Sequence, residues 1–274
     1  MMMPSPISPR SPHLTGSRAT ISAAVGAITR YTVLEAIRGR VPLVMLAWVL
    51  LAFALGAFLR QIAMIEGAEI QLAIIAALAR VGAVFILMSF TIASIVRESA
   101  DKGVELVLAH PLPRWQYIIG RFAGFALVAV MIALAMALPL VVSAALDRLL
   151  AWVASLALEL ILVAAAAMFF TLTLSHHVAA FAAVGSFYVL ARAIDALVII
   201  ARTGEHTTVW SDRMADGIVH ALASVLPHLD RFTAAAWLTD GVPAGALGVV
   251  LAQTAIYVAV LLSATLVDFY RQNF

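Results

Sequence analysis

The charged side chains that could do chemistry in this chain are concentrated in residues 97–121, RESADKGVELVLAHPLPRWQYIIGR. The stretch holds seven charged residues and the chain's only lysine, although charged residues make up just 12% of the sequence. A bilayer core cannot accommodate so many charges, so the stretch is predicted to lie in water at one face of a membrane. Mixed acid and base, an apolar VELVL and a Pro-x-Pro-Arg step together indicate a docking surface for another protein.

Docking would use two kinds of side chain within residues 97–116. Charged residues would make polar contacts, and apolar residues of a short helix would pack against the partner until two prolines end that helix. The alternative interpretation is a solvated loop that only joins two membrane spans. The predicted docking residues are Arg97, Glu98, Asp101, Lys102, Gly103, Glu105, Leu106, Pro111, Pro113 and Arg114.

Three further charges, Glu159, Arg192 and Asp195, fall inside long apolar stretches. Charges within a membrane are costly and often functional. Glu159 and Arg192 are each about ten residues from the outer end of a predicted span, a depth of roughly 14 Å. Adjacent antiparallel spans would bring the two together as an ion pair, which Asp195 could share from one helical turn away. The pair could fix the register of two helices or line a substrate path.

The sequence carries no signature of catalysis or of a bound cofactor. A nucleotide-binding phosphate loop ends in Gly-Lys-Ser/Thr, but the only lysine here lies between Asp101 and Gly103. No two histidines have the i, i+4 spacing that favours a shared metal ion on a helix, and cysteine is absent. We therefore expect no metal site and no enzymatic activity, and any ATP hydrolysis would belong to a partner subunit that binds ATP and Mg.

The composition predicts an all-α membrane protein. Hydrophobic residues make up 64% of the 274 residues, with a mean hydropathy of +1.05, whereas soluble domains are about 45–50% apolar. Residues 1–20 are interpreted as a disordered cytoplasmic arm, or alternatively an organellar presequence, and residues 21–274 as a single transmembrane domain. Six stretches reach the length of about 20 residues that a span requires: 41–59, 72–96, 117–146, 149–174, 178–201 and 244–267.

The distribution of basic residues predicts the orientation of these spans. With the N-terminus inside, ten basic residues lie on the cytoplasmic side and six on the outer side, and Arg192 lies within the membrane. This bias favours a cytoplasmic N-terminus and, after six spans, a cytoplasmic C-terminus. Residues 22–40 are interpreted as an amphipathic helix on the membrane surface, or alternatively as the start of the first span. The outer loop 202–243 is predicted to be helical and to dip into the outer leaflet or lie on it.

Three local patterns give the chain a resemblance to a known family. They are YTVLEAIRGR (31–40) directly before a span, the charged stretch 97–121, and LPHLDRF (226–232) before the last span. With the six-span layout, residues 22–270 resemble the permease subunits of type-2 ABC exporters, and are most similar to the copper-enzyme-maturation branch.

The resemblance implies an exporter permease of the bacterial inner membrane that forms a homodimer. It also implies that a separate cytosolic ATP-binding subunit drives each permease and receives a coupling helix from the 97–116 loop. The N-terminal helix would touch that subunit too, and substrate would move outward. The alternative function is an ion-coupled secondary transporter that uses Glu159, Arg192 and Asp195.

Overall fold

A computed structural model describes residues 16–62, 67–100, 114–174, 176–203, 217 and 225–271 of the chain. The described part is all helical: α1 (Gly16–Arg38), α2 (Val41–Ile62), α3 (Gly67–Ala100), α4 (Arg114–Met136), α5 (Leu146–Thr173), α6 (His177–Thr203), α7 (Ala236–Thr239) and α8 (Ala246–Arg271). Short 3-10 helices occupy Leu138–Leu140 and Leu229–Arg231.

Six of these helices are long and apolar enough to cross a membrane: α2, α3, α4, α5, α6 and α8. Each overlaps one of the six stretches that the hydropathy pattern predicted, because a continuous apolar run of this length is a strong local signal. The chain is therefore a multi-pass membrane protein. The long helix α3 contains 34 residues, about 51 Å at 1.5 Å per residue.

Helix α5 lies at the centre of the bundle, where it contacts α3, α4, α6 and α8. Its residues 162–168, LVAAAAM, are all buried, so the helix is enclosed on every side at this level. The four consecutive alanines allow neighbouring helices to approach closely. Helices α2, α6 and α8 lie at the periphery, with most of their surface exposed to the surroundings.

Helix α1 packs along the first part of α4. A Cβ placed on Gly124 would lie 2.5 Å from the Cβ of Thr32, and one on Gly120 would lie 3.0 Å from the Cβ of Ile28. A side chain at position 124 would therefore push the two helices apart, and one at position 120 would make a tight contact with Ile28. The Oγ1 atom of Thr29 donates a hydrogen bond across this contact to the carbonyl of Gly120 at 3.0 Å.

The face of α1 that packs on the bundle combines small and polar side chains with an apolar one. Thr32 and Ala36 are buried and Ile28 is half-buried against α4, whereas Tyr31 and Ile37 are exposed. Small side chains are favoured at the contact because the glycines of α4 draw the backbones together. Helix α1 also begins at Gly16, inside the predicted disordered arm; the rest of that arm lies outside the described residues.

The third span is shorter than predicted. Helix α4 ends at Met136, a 3-10 turn at Leu138–Leu140 follows, and the predicted continuation to residue 146 is wrong. Pro139 explains the break because proline has no N–H to donate and clashes with the preceding helical turn. In the outer loop, the described residues 225–243 form a 3-10 turn and the single-turn helix α7, while most of 202–224 lies outside the described residues.

Candidate functional site

Two buried polar clusters connect the described helices. We call the first the Arg121 cluster: Thr32 and Glu35 on α1, Ser94, Arg97 and Glu98 on α3, and Arg121 on α4. We call the second the Glu159 cluster: Arg80 on α3, Ser155 and Glu159 on α5, Tyr188 and Arg192 on α6, and Thr233 in the outer loop.

The Arg121 cluster is organised around a guanidinium group whose side chain is only 2% exposed. One Nη atom lies 3.1 Å from the Glu35 carboxylate, and the other lies 2.8 Å from the Glu98 carboxylate. Arg97 completes the ionic set with a 2.9 Å contact to the other oxygen of Glu35. Two cations and two anions balance, as a stable buried ionic group requires.

Hydroxyl groups fill the space between these charges. Arg121 donates hydrogen bonds to Ser94 Oγ at 2.8 Å and to Thr32 Oγ1 at 2.9 Å. Ser94 Oγ in turn donates to the Glu35 carboxylate at 2.7 Å. The guanidinium also lies 5.3 Å from the ring centroid of Phe125, within cation–π range. Three helices are thus joined by one buried side chain.

The predicted docking residues flank this cluster. Residues 101–113, which include Asp101, Lys102, Gly103, Glu105, Leu106, Pro111 and Pro113, lie outside the described residues, and Arg114 begins α4. Arg97 is 63% exposed, but Glu98 is mostly buried against Arg121. The sequence reasoning did not predict that internal contact.

Glu35 and Arg121 were not predicted as a functional pair because they are far apart in sequence. A signal was nevertheless present, since Glu35 is the one acidic residue in the arginine-rich stretch 16–40. Its carboxylate accepts contacts from α3 and α4 at once.

The Glu159 cluster is organised around a carboxylate that is completely buried. Its Oε1 atom accepts a hydrogen bond from the Tyr188 hydroxyl at 2.9 Å and lies 3.5 Å from Arg192 Nη1. Its Oε2 atom accepts a hydrogen bond from Thr233 Oγ1 at 2.7 Å. The structure therefore brings together Glu159 and Arg192, which the sequence placed at one depth on adjacent spans.

The remaining bonds of this cluster hold the backbone of residues 225–240, which we call the outer segment because they fall in the loop predicted to lie on the outer side. Arg192 donates to the carbonyls of Leu229 and Phe232, the latter at 3.1 Å. Arg80 donates to the carbonyl of Thr233 at 3.2 Å, and the Thr233 N–H donates to Ser155 Oγ at 3.0 Å. Irregular backbone at membrane depth requires such internal partners because lipid offers none.

Apolar side chains seat the same segment. Leu229, Phe232, Trp237 and Leu238 are buried, and Arg148 on α5 donates to the carbonyl of Thr239. Thr233 has a φ of +47°, a left-handed conformation that is uncommon for a residue with a branched side chain. The hydrogen bonds made by its N–H, carbonyl and hydroxyl groups compensate for that strain.

Asp195 contacts the outer segment through His228, whose Nε2 lies 3.5 Å from the Asp195 carboxylate. Nearby in the segment, burial, a hydrogen bond to Asp195 and the charge of Asp195 raise the pKa of Asp230 from 3.8 to about 6. Asp195 was predicted to share Arg192 with Glu159. In the structure it instead contacts His228 of the loop.

The residues of the LPHLDRF pattern (226–232) therefore make contacts with α6 that the sequence did not predict. Its backbone supplies the acceptors for Arg192, and its histidine and aspartate face Asp195. Arg80 and Thr233 were also missed, because neither stands out by type or spacing. Among the described residues, no group of three His, Asp or Glu side chains is arranged to hold a metal ion.

An open apolar groove of about 580 Å³ runs between α3 and α6. Its walls include Ile92, Val96, Phe181 and Ala182, and Arg97 and His177 lie at one end. No protein-family model matches the chain, and neither does any curated protein.

Proposed function

We propose that this chain is the membrane permease of an ATP-driven exporter of the type-2 ABC class. In this proposal it works as a homodimer in the bacterial inner membrane, with both termini in the cytoplasm. A separate cytosolic subunit binds and hydrolyses ATP, and it engages the 97–116 loop. This chain then carries no catalytic residue of its own.

The observation that carries the proposal is the way the charged loop is mounted. Helix α3 has 34 residues, about 51 Å in length, and even at a 40° tilt it would cover about 39 Å, more than the roughly 30 Å hydrocarbon core. Its charged end would therefore project into water. At that end the Arg121 cluster joins α3 to α1 and α4. The two helices that begin and end the loop are therefore connected to each other by ion pairs.

The Glu159 cluster supports this function over ion-coupled transport. Every polar contact of Glu159 within the described residues goes to Tyr188, Arg192 or Thr233. Arg192 is likewise bonded to backbone carbonyls of the outer segment. A proton or ion path needs groups that can exchange partners, whereas these groups anchor irregular backbone.

Purification from native membranes in mild detergent tests the proposal. We expect the wild-type chain to bring down a soluble subunit that hydrolyses Mg-ATP, and Leu106→Asp to lose it because a charge would enter the predicted apolar contact. Arg271→Glu, at the exposed end of α8, serves as the charge-altered control and should retain the subunit.

Two outcomes would contradict the proposal. The first is a wild-type chain that co-purifies with no ATP-hydrolysing subunit while remaining folded. The second is Leu106→Asp that binds the subunit as well as Arg271→Glu does. Transport that stops with a protonophore but continues after ATP depletion would instead establish the ion-coupled alternative.

A further inference from the structure

The two ends of the 97–116 loop are tied to a third helix. Glu98 lies two residues before the end of α3 and pairs with Arg121 at 2.8 Å, while Arg121 lies seven residues into α4. Glu35 of α1 contacts both Arg121, at 3.1 Å, and Arg97, at 2.9 Å. A displacement of either end of the loop therefore acts on α1 through charged groups.

The contact between α1 and α4 leaves little room for slippage. A Cβ on Gly124 would lie 2.5 Å from the Cβ of Thr32, too close for any side chain, and one on Gly120 would lie in tight contact with Ile28. The bond from Thr29 to the Gly120 carbonyl, at 3.0 Å, fixes the register of the two helices. Close-packed helices of this kind move together, since interiors pack too densely to deform gradually.

The charges of the Arg121 cluster also favour a role in transmitting movement between helices, beyond simply packing them together. The Arg121 guanidinium has a rigid, planar set of donors, and within the cluster it binds acids from two different helices. If Arg121 served only to attach α4 to one neighbouring helix, one of these two acids would be enough. Loss of Glu35 removes the ionic link between α1 and Arg121, and loss of Glu98 removes the link between α3 and Arg121, even when the helices themselves stay in place.

We propose that Glu35 and Arg121 are positioning residues that carry the movement of the 97–116 loop to α1. The inference rests on the proposed function and adds the route by which the partner's ATP cycle reaches the N-terminal helix. Neither residue touches ATP or substrate. Their role is to make α1 follow the loop.

The test uses the complex with the ATP-binding subunit in lipid nanodiscs. The chain has no cysteine, so a single Ala27→Cys on an exposed part of α1 can carry a spin label. We expect Mg-ATP with vanadate to change the label's spectrum in the wild-type background. Glu35→Gln, which keeps the Glu98–Arg121 contact between the two ends of the loop, should bind the subunit normally and lose that change. Arg121→Gln should lose the change as well.

Glu159→Gln is the matched control, because it also replaces a buried, ion-paired glutamate by its amide. It should keep the ATP-dependent change at position 27 even where it lowers thermal stability. An Arg121→Lys variant should recover part of the change, since lysine keeps the charge but not the forked geometry.

The possible failures are distinguishable. A normal response of α1 in Glu35→Gln overturns the inference while leaving the proposed function intact. Equal loss of the response in Glu159→Gln also overturns it, because the effect would then be general destabilisation. A wild-type chain that binds no ATP-hydrolysing subunit overturns the proposed function and this inference together.

Discussion

Arg121 and Glu159 both place a charge in a buried site, but their partners differ in kind. Arg121 binds side chains from two other helices, whereas the Glu159–Arg192 pair is completed by Tyr188, Thr233 and backbone carbonyls of the outer segment. Truncating one member of a buried pair leaves the other uncompensated. The two clusters should therefore respond differently to paired substitutions.

At the Glu159 cluster, removing both charges should cost less than removing one. We expect Arg192→Gln to lower the free energy of unfolding by about 3–5 kcal/mol, because the buried Glu159 loses its cation. The double variant Glu159→Gln, Arg192→Gln should recover much of that loss. Thermal unfolding of both variants in one detergent would measure these losses, with Glu69→Gln at an exposed position as the control. A double variant less stable than either single variant would contradict an anchoring role.

Between helices, Gly124 on α4 and Gly185 on α6 offer a sharp contrast in the space that they face. Gly124→Ala should push α1 away, since the new Cβ would lie 2.5 Å from the Cβ of Thr32. Overpacking of this kind typically costs about 1–3 kcal/mol. Gly185→Ala, with nothing within 4 Å of its Cβ, should be neutral. Unfolding midpoints of the two variants give the comparison, and equal midpoints would refute the tight contact.

The outer segment should dock more firmly in acid. The pKa of Asp230 is raised to about 6 in the docked state, so that state binds the proton more tightly than the undocked one. The docked state of the segment gains its full added stability below the pKa of Asp230 in the undocked state, near 3.9. It loses this added stability as the pH rises through about 6, the pKa of Asp230 in the docked state. Among the described residues, Asp195 and His228 are the titratable groups that act on Asp230.

Hydrogen exchange of the 226–233 amides, corrected for intrinsic rates, would reveal this pH dependence. Asp230→Asn should remove it, while Asp240→Asn, elsewhere in the same segment, should keep it. Unchanged pH dependence in Asp230→Asn would show that another group is responsible.

The elements also show what the sequence could and could not predict. Spans were predictable because hydropathy is a local property, and Pro139 shortened only one of them. The packing face of α1 was less predictable by the same rule, since Thr29, Thr32 and Glu35 contribute to its contact besides the apolar Ile28. Long-range pairs such as Glu35 with Arg121 depend on which helices become neighbours.

For the whole molecule, the peripheral helices leave a surface for the second copy that the proposed function requires. The groove between α3 and α6 is apolar, and Ala182 lies in its wall. We expect Ala182→Cys to form a disulfide-linked dimer under mild oxidation in membranes, because a homodimer that closes this groove would bring the two α6 helices together. Val260→Cys, on the exposed face of α8, is the control.

Gel electrophoresis without reductant would separate the two species. The wild-type chain has no cysteine, so every crosslink reports the introduced position. Crosslinking through Val260 but not Ala182 would place the dimer contact on a different face.

The enclosed alanine run of α5 has a consequence for how this chain can vary. Residues 162–168 contact only protein, so selection there acts on side-chain volume rather than on affinity for lipid. A serine is a smaller change at Ala165 than a leucine, although leucine is the more lipophilic residue. Among homologues, residues 162–168 of α5 should therefore keep their side-chain volume while their polarity varies. The peripheral helices α2, α6 and α8 should keep their apolar character while their side-chain volume varies.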